Sequence, residues 1–440
     1  MNDFVNIIST YKDEKDRNIE FLSNVYGNNE LLKSYIRNII NDDLLNNNNL
    51  IGKKVLLKPN WVKHSSNNDD EICLRTNDNF LIAILELILE KKPAAVMIGD
   101  APIQGCNWEK VISKEFYKTI IKLSVDYSIP IEIKDFRRVT FDPSKNNPNL
   151  ERNPIEDYRI FDLGKNSLLE PISTNKMKFR VTSYDPNRLA ESHSLGMHKY
   201  CITKELFNAD IIISLPKVKT HQKSGITCAL KNIVGINGDK DYLPHHRVGG
   251  TGFGGDCYPG KNILRRLAEY FMDNANKRQG DKIYWVWFRL ALLIWKLSRP
   301  QKVHHMSAGW YGNDTIWRMV MDLNLILIYG KVDGTISSQP QRVLYSLCDG
   351  VIGGQGNGPL NPIPLPLGII SFTNSSELND ICMATLMNFD IKKIPLLNFA
   401  KNKIDKNNVS INLNGKKISL EELKKISIDT LPPPGWEGYL

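Results

Sequence analysis

Apolar and polar residues follow two rhythms along this chain, and the switches between them set the expected elements. Short apolar runs bounded by Gly, Pro, Asn or Asp predict buried strands at Val5–Ser9, Lys54–Leu57, Ala94–Ile98, Ile129–Ile133, Ala209–Ser214, Val343–Leu347 and Leu367–Phe372. Between them, Glu30–Ile40, Phe80–Lys91 and Trp108–Ser124 carry apolar residues at helical spacing. Strands alternating with amphipathic helices predict an α/β fold, a mostly parallel twisted sheet flanked by helices.

The same pattern divides the chain. Residues 1–50 give a strand and helix leading into the core, 51–237 a first α/β half, and 313–400 a second part. Residues 238–312 break the alternation and read as an inserted helical and loop subdomain. In 401–440, SINLNGKKISLEELKK predicts a hairpin turning at Asn414-Gly415, then a short helix and tail. The Asn46–Asn49 run and the polar stretch 142–158 predict loops. No repeat of fixed period occurs.

Composition narrows the class. With 440 residues, 42% hydrophobic and 24% charged, this is an ordinary globular composition. A balance of 57 basic to 48 acidic residues, +9 in all, admits nucleic acid, an anionic membrane or an anionic metabolite. Nucleic acid is not expected, since neither a recognisable module nor a concentrated basic stripe is present. The seven cysteines are scattered without a CxxC, so no iron-sulfur cluster is expected and a reducing, cytoplasmic setting fits. The opening MNDFVNIISTYKDEKDRN lacks the basic and apolar regions of a secretory signal.

Candidate chemistry gathers where predicted strands end. Ligands of open parallel sheets bind beyond the carboxyl ends of the strands. Four such ends are polar or glycine-rich: Lys58-Pro59-Asn60, Asp100-Ala101-Pro102, the loop Pro216–His221, and Asp349–Pro359. Lys58, Lys217 and Lys219, with Lys223 and Lys231 close behind, suit a phosphate, sulfate or carboxylate, and Asn60 and Asn232 add neutral hydrogen-bonding groups. Cationic neighbours should lower the pKa of His221 and favour its neutral form, which suits a general base. A structural histidine bonded to a backbone carbonyl is the other reading. Asp100 and Asp349 supply carboxylates, and Gly354, Gly356 and Asn357 would let backbone approach a ligand. Lys231 lies ten residues after His221; on a helix from Ser224 to Ile233 it would point away from the loop lysines.

Two features mark the insertion. PHHRVGGTGFGGDCYPG offers His245, His246 and Asp256 as metal candidates, against a glycine-rich substrate loop. Ile283–Leu297 is apolar except for Arg289 and Lys296, and carries Trp285, Trp287 and Trp295. It falls short of the about 20 residues a membrane span needs. A helix lying at the bilayer interface fits, as do a buried helix and a partner surface.

From about residue 50 to 397, KPNWV, SLPKVKTHQKSGITCALKNIVGI and DGVIGGQGNGPL resemble the conserved blocks of domain-of-unknown-function family 362. Many members carry a ferredoxin-like cysteine module, which this chain lacks. The longer form, with PHHRVGGTGFGGDCYP and WYGNDTIWRMVMDLN, looks like members encoded among bacterial surface-polysaccharide genes. That resemblance implies a part in surface-polysaccharide assembly, and the basic strand ends together with the interfacial-helix candidate lead to the expectation of an enzyme acting on an anionic, phosphorylated or polyprenyl-linked glycan substrate at the inner face of the membrane. Transfer, hydrolysis and epimerisation all need these groups. A more distant similarity is to the amino-terminal domain of nickel-pincer lactate racemases, where a catalytic histidine precedes by ten residues the lysine that tethers the cofactor. His221 and Lys231 match that spacing, which implies a tethered cofactor at Lys231. A non-catalytic anion-binding or scaffold protein is a third reading.

Overall fold

The computed structural model describes residues 2–40, 44, 49–65, 68–141, 149–175, 178–182, 184–298, 306–405 and 407–440. Its central sheet holds twelve strands: β1 (Asp3–Ser9), β2 (Lys54–Pro59), β3 (Ala95–Asp100), β4 (Ile131–Asp135), β5 (Ile211–Leu215), β6 (Lys217–His221), β7 (Gly225–Thr227), β8 (Val343–Gln355), β9 (Ile363–Leu365), β10 (Ile369–Thr373), β11 (Val409–Leu413) and β12 (Lys416–Ile418). Nine of them form the path β12-β11-β1-β10-β8-β5-β2-β3-β4. The run β4-β3-β2-β5-β8 is parallel throughout, while β10 is antiparallel to both β8 and β1. The α/β fold with a mostly parallel sheet is therefore present as expected.

Alternation along the strands explains the layering. Val55 and Leu57 face one core with Val96, Ile98, Ile211 and Ile213, while Leu56 and Ile212 face the opposite one. The first core is closed by α1 (Ile19–Gly27), α2 (Asn29–Ile39), α3 (Asp78–Leu89) and α4 (Lys114–Tyr127), through residues such as Leu32, Phe80 and Ile120. Only four residues, α5 (Ala229–Asn232), form the helix behind β7. Past the hairpin α6 (Ile263–Asn276) and α7 (Ile283–Leu297) come α8 (Ile316–Tyr329) and α9 (Ser376–Leu386), which close the second core. Both faces of the parallel strands are thus covered, as their continuous apolar runs require.

Several boundaries differ from expectation for identifiable reasons. The helix expected over Trp108–Ser124 breaks at Ser113, whose side chain accepts the Phe116 N–H and starts α4 afresh. Ser224–Ile233 is not one helix; β7 and α5 divide it. Two expected loops are strand: β6 occupies Lys217–His221, and β8 runs through Asp349 to Gln355. Of the stretch 142–158, Asn149–Glu151 pairs with Val139–Phe141, while 142–148 lie outside the described residues, as do 46–48 of the asparagine run. The carboxy-terminal hairpin turns at Asn414-Gly415, both at positive φ, and leads into the helix Leu420–Lys424.

Segment 238–312 contains α6 and α7 packed as a hairpin, with its own small core of Cys257, Tyr258, Ala268, Trp295, Ala308 and Trp310. Its tryptophans divide. Trp295 is buried against Tyr258 with the Arg265 guanidinium 4.6 Å above its ring, and Trp287 stacks on Phe271 at 5.4 Å. Trp285 and Arg289 are exposed, together with Val286, Leu292, Leu293 and Leu297. Of the membrane candidates Trp285, Trp287, Arg289 and Trp295, the last is turned inward and anchors the hairpin instead. No helix among the described residues is long and apolar enough to cross a membrane.

Candidate functional site

The carboxyl ends of β2, β3 and β6 meet a ring of connecting segments around a cavity of about 330 Å³. Lys219, Lys223, Lys231, Lys240, His221 and His245 line it. Asp100 is the one carboxylate among the described lining residues, and it is already engaged. Its oxygens accept Lys58 Nζ at 2.7 Å, the Trp61 N–H at 2.7 Å and the Ala101 N–H at 2.9 Å. The opening beside it depends on Gly235, where a Cβ would stand 1.8 Å from Asp100 Oδ1.

Burial is the leading cause of low lysine pKa values here. It pushes the Lys219 and Lys231 amines down to about 7, with Lys240 and Lys223 adding repulsion at Lys231. Lys223 and Lys240 fall to about 8, again chiefly through burial. Lys219 Nζ donates to the Leu74 carbonyl, Lys223 Nζ to Thr182 Oγ1 at 3.1 Å, and Lys240 Nζ to the Ala101 carbonyl at 2.9 Å. The Lys231 amine has no protein partner among the described residues. Two further lining atoms lack a bond: Asn60 Oδ1 and Thr227 Oγ1, on side chains more than nine-tenths buried.

The two histidines of this cavity are bonded in opposite senses. His221 Nδ1 accepts the backbone N–H groups of Lys223 at 3.0 Å and Ser224 at 3.2 Å, so its proton resides on Nε2. His245 Nδ1 donates to the Leu243 carbonyl at 2.6 Å, so its Nε2 keeps a lone pair. Burial, reinforced by Lys231 and Lys223, holds both imidazoles well below the usual range and therefore neutral. One ring offers a donor and the other an acceptor. The backbone bonding at His221 favours donation over the general-base role expected for it.

Not every expected residue faces the cavity. Lys58 stays beneath it, fixed on Asp100, the Pro59 carbonyl and Asn232 Oδ1. Asn232 lines the cavity and links that ion pair to Asn60 Nδ2 at 3.1 Å. Lys217 and Asp349, both wholly buried, pair at 3.0 Å with Tyr26 bonded to each, and Asn77 N–H completes the carboxylate. Their cause is register: Lys217 sits opposite Asp349 where β6 joins β8. Gly354, Gly356 and Asn357 line no part of the cavity. Gly354 instead lies where a Cβ would meet Lys219 Cβ at 2.9 Å, so it lets β6 approach, and Asn357 accepts from Gln222 Nε2. The turn after His221 is capped from far away, by Trp436 Nε1 donating to the Gln222 carbonyl at 2.6 Å.

The proposed histidine-aspartate metal set is corrected. Extended backbone turns adjacent residues to opposite sides, and His245 lines the lysine cavity while His246 lines a second one. Asp256 is taken by Arg247, Thr315 and the Asp314 N–H. Lys240, Thr182 and Tyr184 escaped the sequence reading because they lie on segments of no regular pattern; the available signal was the polar GDKDY after Asn237.

No curated protein matches the sequence. A crystal structure of a protein from Thermotoga maritima aligns over 85% of this chain at 7% identity and a TM-score of 0.34, and the chain spans 59% of that protein's structure. Residues 164–385, half of the chain and the part that contains β6, α5 and Asp349, match the domain of unknown function DUF362. The protein is thus a member of the DUF362 family.

Proposed function

We propose that this chain is an enzyme that takes a phosphorylated substrate into the lysine cavity and moves a proton there between substrate and histidine. One observation carries the reading: Lys219 and Lys240, both buried, and the half-buried Lys223 and Lys231 face one space whose sole described carboxylate is already paired with Lys58. Without a ligand the ammonium forms repel one another and lose solvation; a phosphate dianion offsets both. His245 Nε2 accepts a proton, and the His221 Nε2–H stabilises negative charge that develops in exchange. Asn60 Oδ1 and Thr227 Oγ1 suit substrate hydroxyls, which favours a sugar phosphate over inorganic phosphate.

The lipid-linked form of that substrate, and a place at the inner membrane face in surface-glycan assembly, draw support from the hairpin. Its outer side exposes Trp285, Val286 and Leu293. Its inner side bounds a cavity of about 180 Å³ that shares Val181, Thr182 and Ser307 with the lysine cavity. A headgroup among the lysines leaves an apolar chain this way out. Native mass spectrometry of protein purified from its own host tests the reading. A phosphate-bearing ligand released on denaturation, and missing from Lys219→Met and Lys231→Met, is expected; an empty wild-type protein that fails to bind added sugar phosphates would refute it.

A second reading rests on Lys231. Its unpartnered amine, held down to about 7 beside His221, is a competent nucleophile near neutral pH. It suits a covalent bond to a carbonyl substrate or to the tethered cofactor that the His221–Lys231 spacing implies. Denaturing intact-mass analysis decides this: an excess mapped to Lys231 supports it, and an unmodified Lys231 in active protein ends it.

A further inference from the structure

We infer that His246, Cys257 and Glu269 form a zinc site that clips the glycine-rich segment of the insertion to α6. Their ligand atoms lie within 4.8 Å of one another, and all three side chains are more than nine-tenths buried. Tetrahedral zinc with bonds of about 2.0–2.3 Å needs donors about 3.3–3.8 Å apart, so small rotamer shifts close the set. A mixed nitrogen, sulfur and oxygen donor set suits Zn²⁺ over Mg²⁺ or Ca²⁺.

Two independent observations point to a missing cation. His246 Nδ1 is buried without a hydrogen-bond partner, a state that costs free energy unless something fills it. Glu269 accepts the Gly249 N–H at 3.0 Å to each oxygen and is hydrogen-bonded by the Cys257 thiol and Tyr258, all of them neutral donors, and among the described residues no cation pairs with it. The nearby Arg180 is committed to Asp273 through two bonds, at 2.7 and 2.6 Å. A dication with one thiolate and one carboxylate sums to zero charge, which a buried site tolerates best. The cavity of about 180 Å³ that His246 and Glu269 line has room for a water as fourth ligand.

The three residues come from separate pieces of chain: the short strand His246–Arg247, the loop before α6, and the second turn of α6. Joining them closes the segment between His246 and Glu269 into a loop. Metal ligation of that kind couples directly to folding. His245, on the adjoining residue, would have its place in the lysine cavity fixed by the same clip.

The test uses the full chain, stripped with a chelator and titrated with Zn²⁺ or Co²⁺ alone. One equivalent of Co²⁺ should bind with a thiolate charge-transfer absorption in the near ultraviolet, and Zn²⁺ should displace it and raise the melting temperature. Cys257→Ser should abolish the band, and His246→Ala and Glu269→Gln should weaken binding at least about tenfold. Unchanged stoichiometry and affinity in Cys257→Ser would overturn the proposal, as would a stripped wild-type chain that binds neither metal. Should the variants fold poorly, zinc-edge X-ray absorption on the wild-type protein still decides: one sulfur ligand supports the site, and none overturns it.

Discussion

Binding of an anion to the lysine cavity must be accompanied by proton uptake, and the amount follows from the four amines. In the free protein two of them titrate at about 7 and two at about 8. At pH 8 the four together therefore hold roughly one proton, and at pH 6 nearly four. A bound dianion raises each pKa, because it favours the ammonium form. Uptake on binding should thus reach up to about three protons at pH 8 and fall close to zero at pH 6. Inorganic sulfate is the right probe, since it remains a dianion across this range and contributes no protons itself. Isothermal titration in buffers of different ionisation enthalpy reads the number directly. Lys231→Met should lower it by about one at pH 8, whereas Lys217→Met should leave it unchanged, because the Lys217 amine lies on Asp349 away from the cavity. Sulfate binding with buffer-independent heat at pH 8 would refute the argument, and so would equal uptake at both pH values.

Other consequences can be measured separately. Asp349→Asn leaves the Lys217 ammonium buried without its counter-ion and should cost about 3–5 kcal/mol in urea unfolding, with Lys217→Met/Asp349→Asn less damaging than the singles combined. Gly235→Ala pushes a methyl group onto Asp100; a melting-temperature loss and weakened sulfate binding are expected, and an unperturbed variant would contradict the packing described. Trp285→Ser with Leu293→Ser alters only exposed positions and should abolish flotation with anionic vesicles while preserving sulfate binding, a result that loss of fold could not mimic. His245→Ala should remove turnover without lowering sulfate affinity more than about threefold, separating its proton-accepting role from anion binding.

The parallel half of the sheet was legible because its strands are unbroken apolar runs between turn residues, as in Ile211–Leu215. The gathering of lysines near strand ends was legible only in part: Lys219 and Lys223 line one cavity, but Lys58 and Lys217 do not, and Lys231 lines it although a helix over Ser224–Ile233 would have turned it away. Glycine caused the main misreading. Gly350, Gly353 and Gly354 suggest a loop, yet they lie inside β8, where close approach by β10 at Gly350 and by β6 at Gly353 and Gly354 leaves no room for side chains. That error moved Asp349 from mid-strand to a loop and so into the site. Which lysine finds a carboxylate is a matter of tertiary register, as with Lys58 on Asp100, and no local pattern encodes it. The opposite bonding of His221 and His245 depends on turn geometry that residue type does not specify.

The cap from Trp436 onto the Gln222 carbonyl joins residues 214 positions apart. During synthesis the turn that carries His221 leaves the ribosome long before its cap exists. The lysine cavity is accordingly among the last features to be completed, after the sheet and both cores have their strands. A nascent or carboxy-terminally clipped chain would hold its lysines on an unfinished wall.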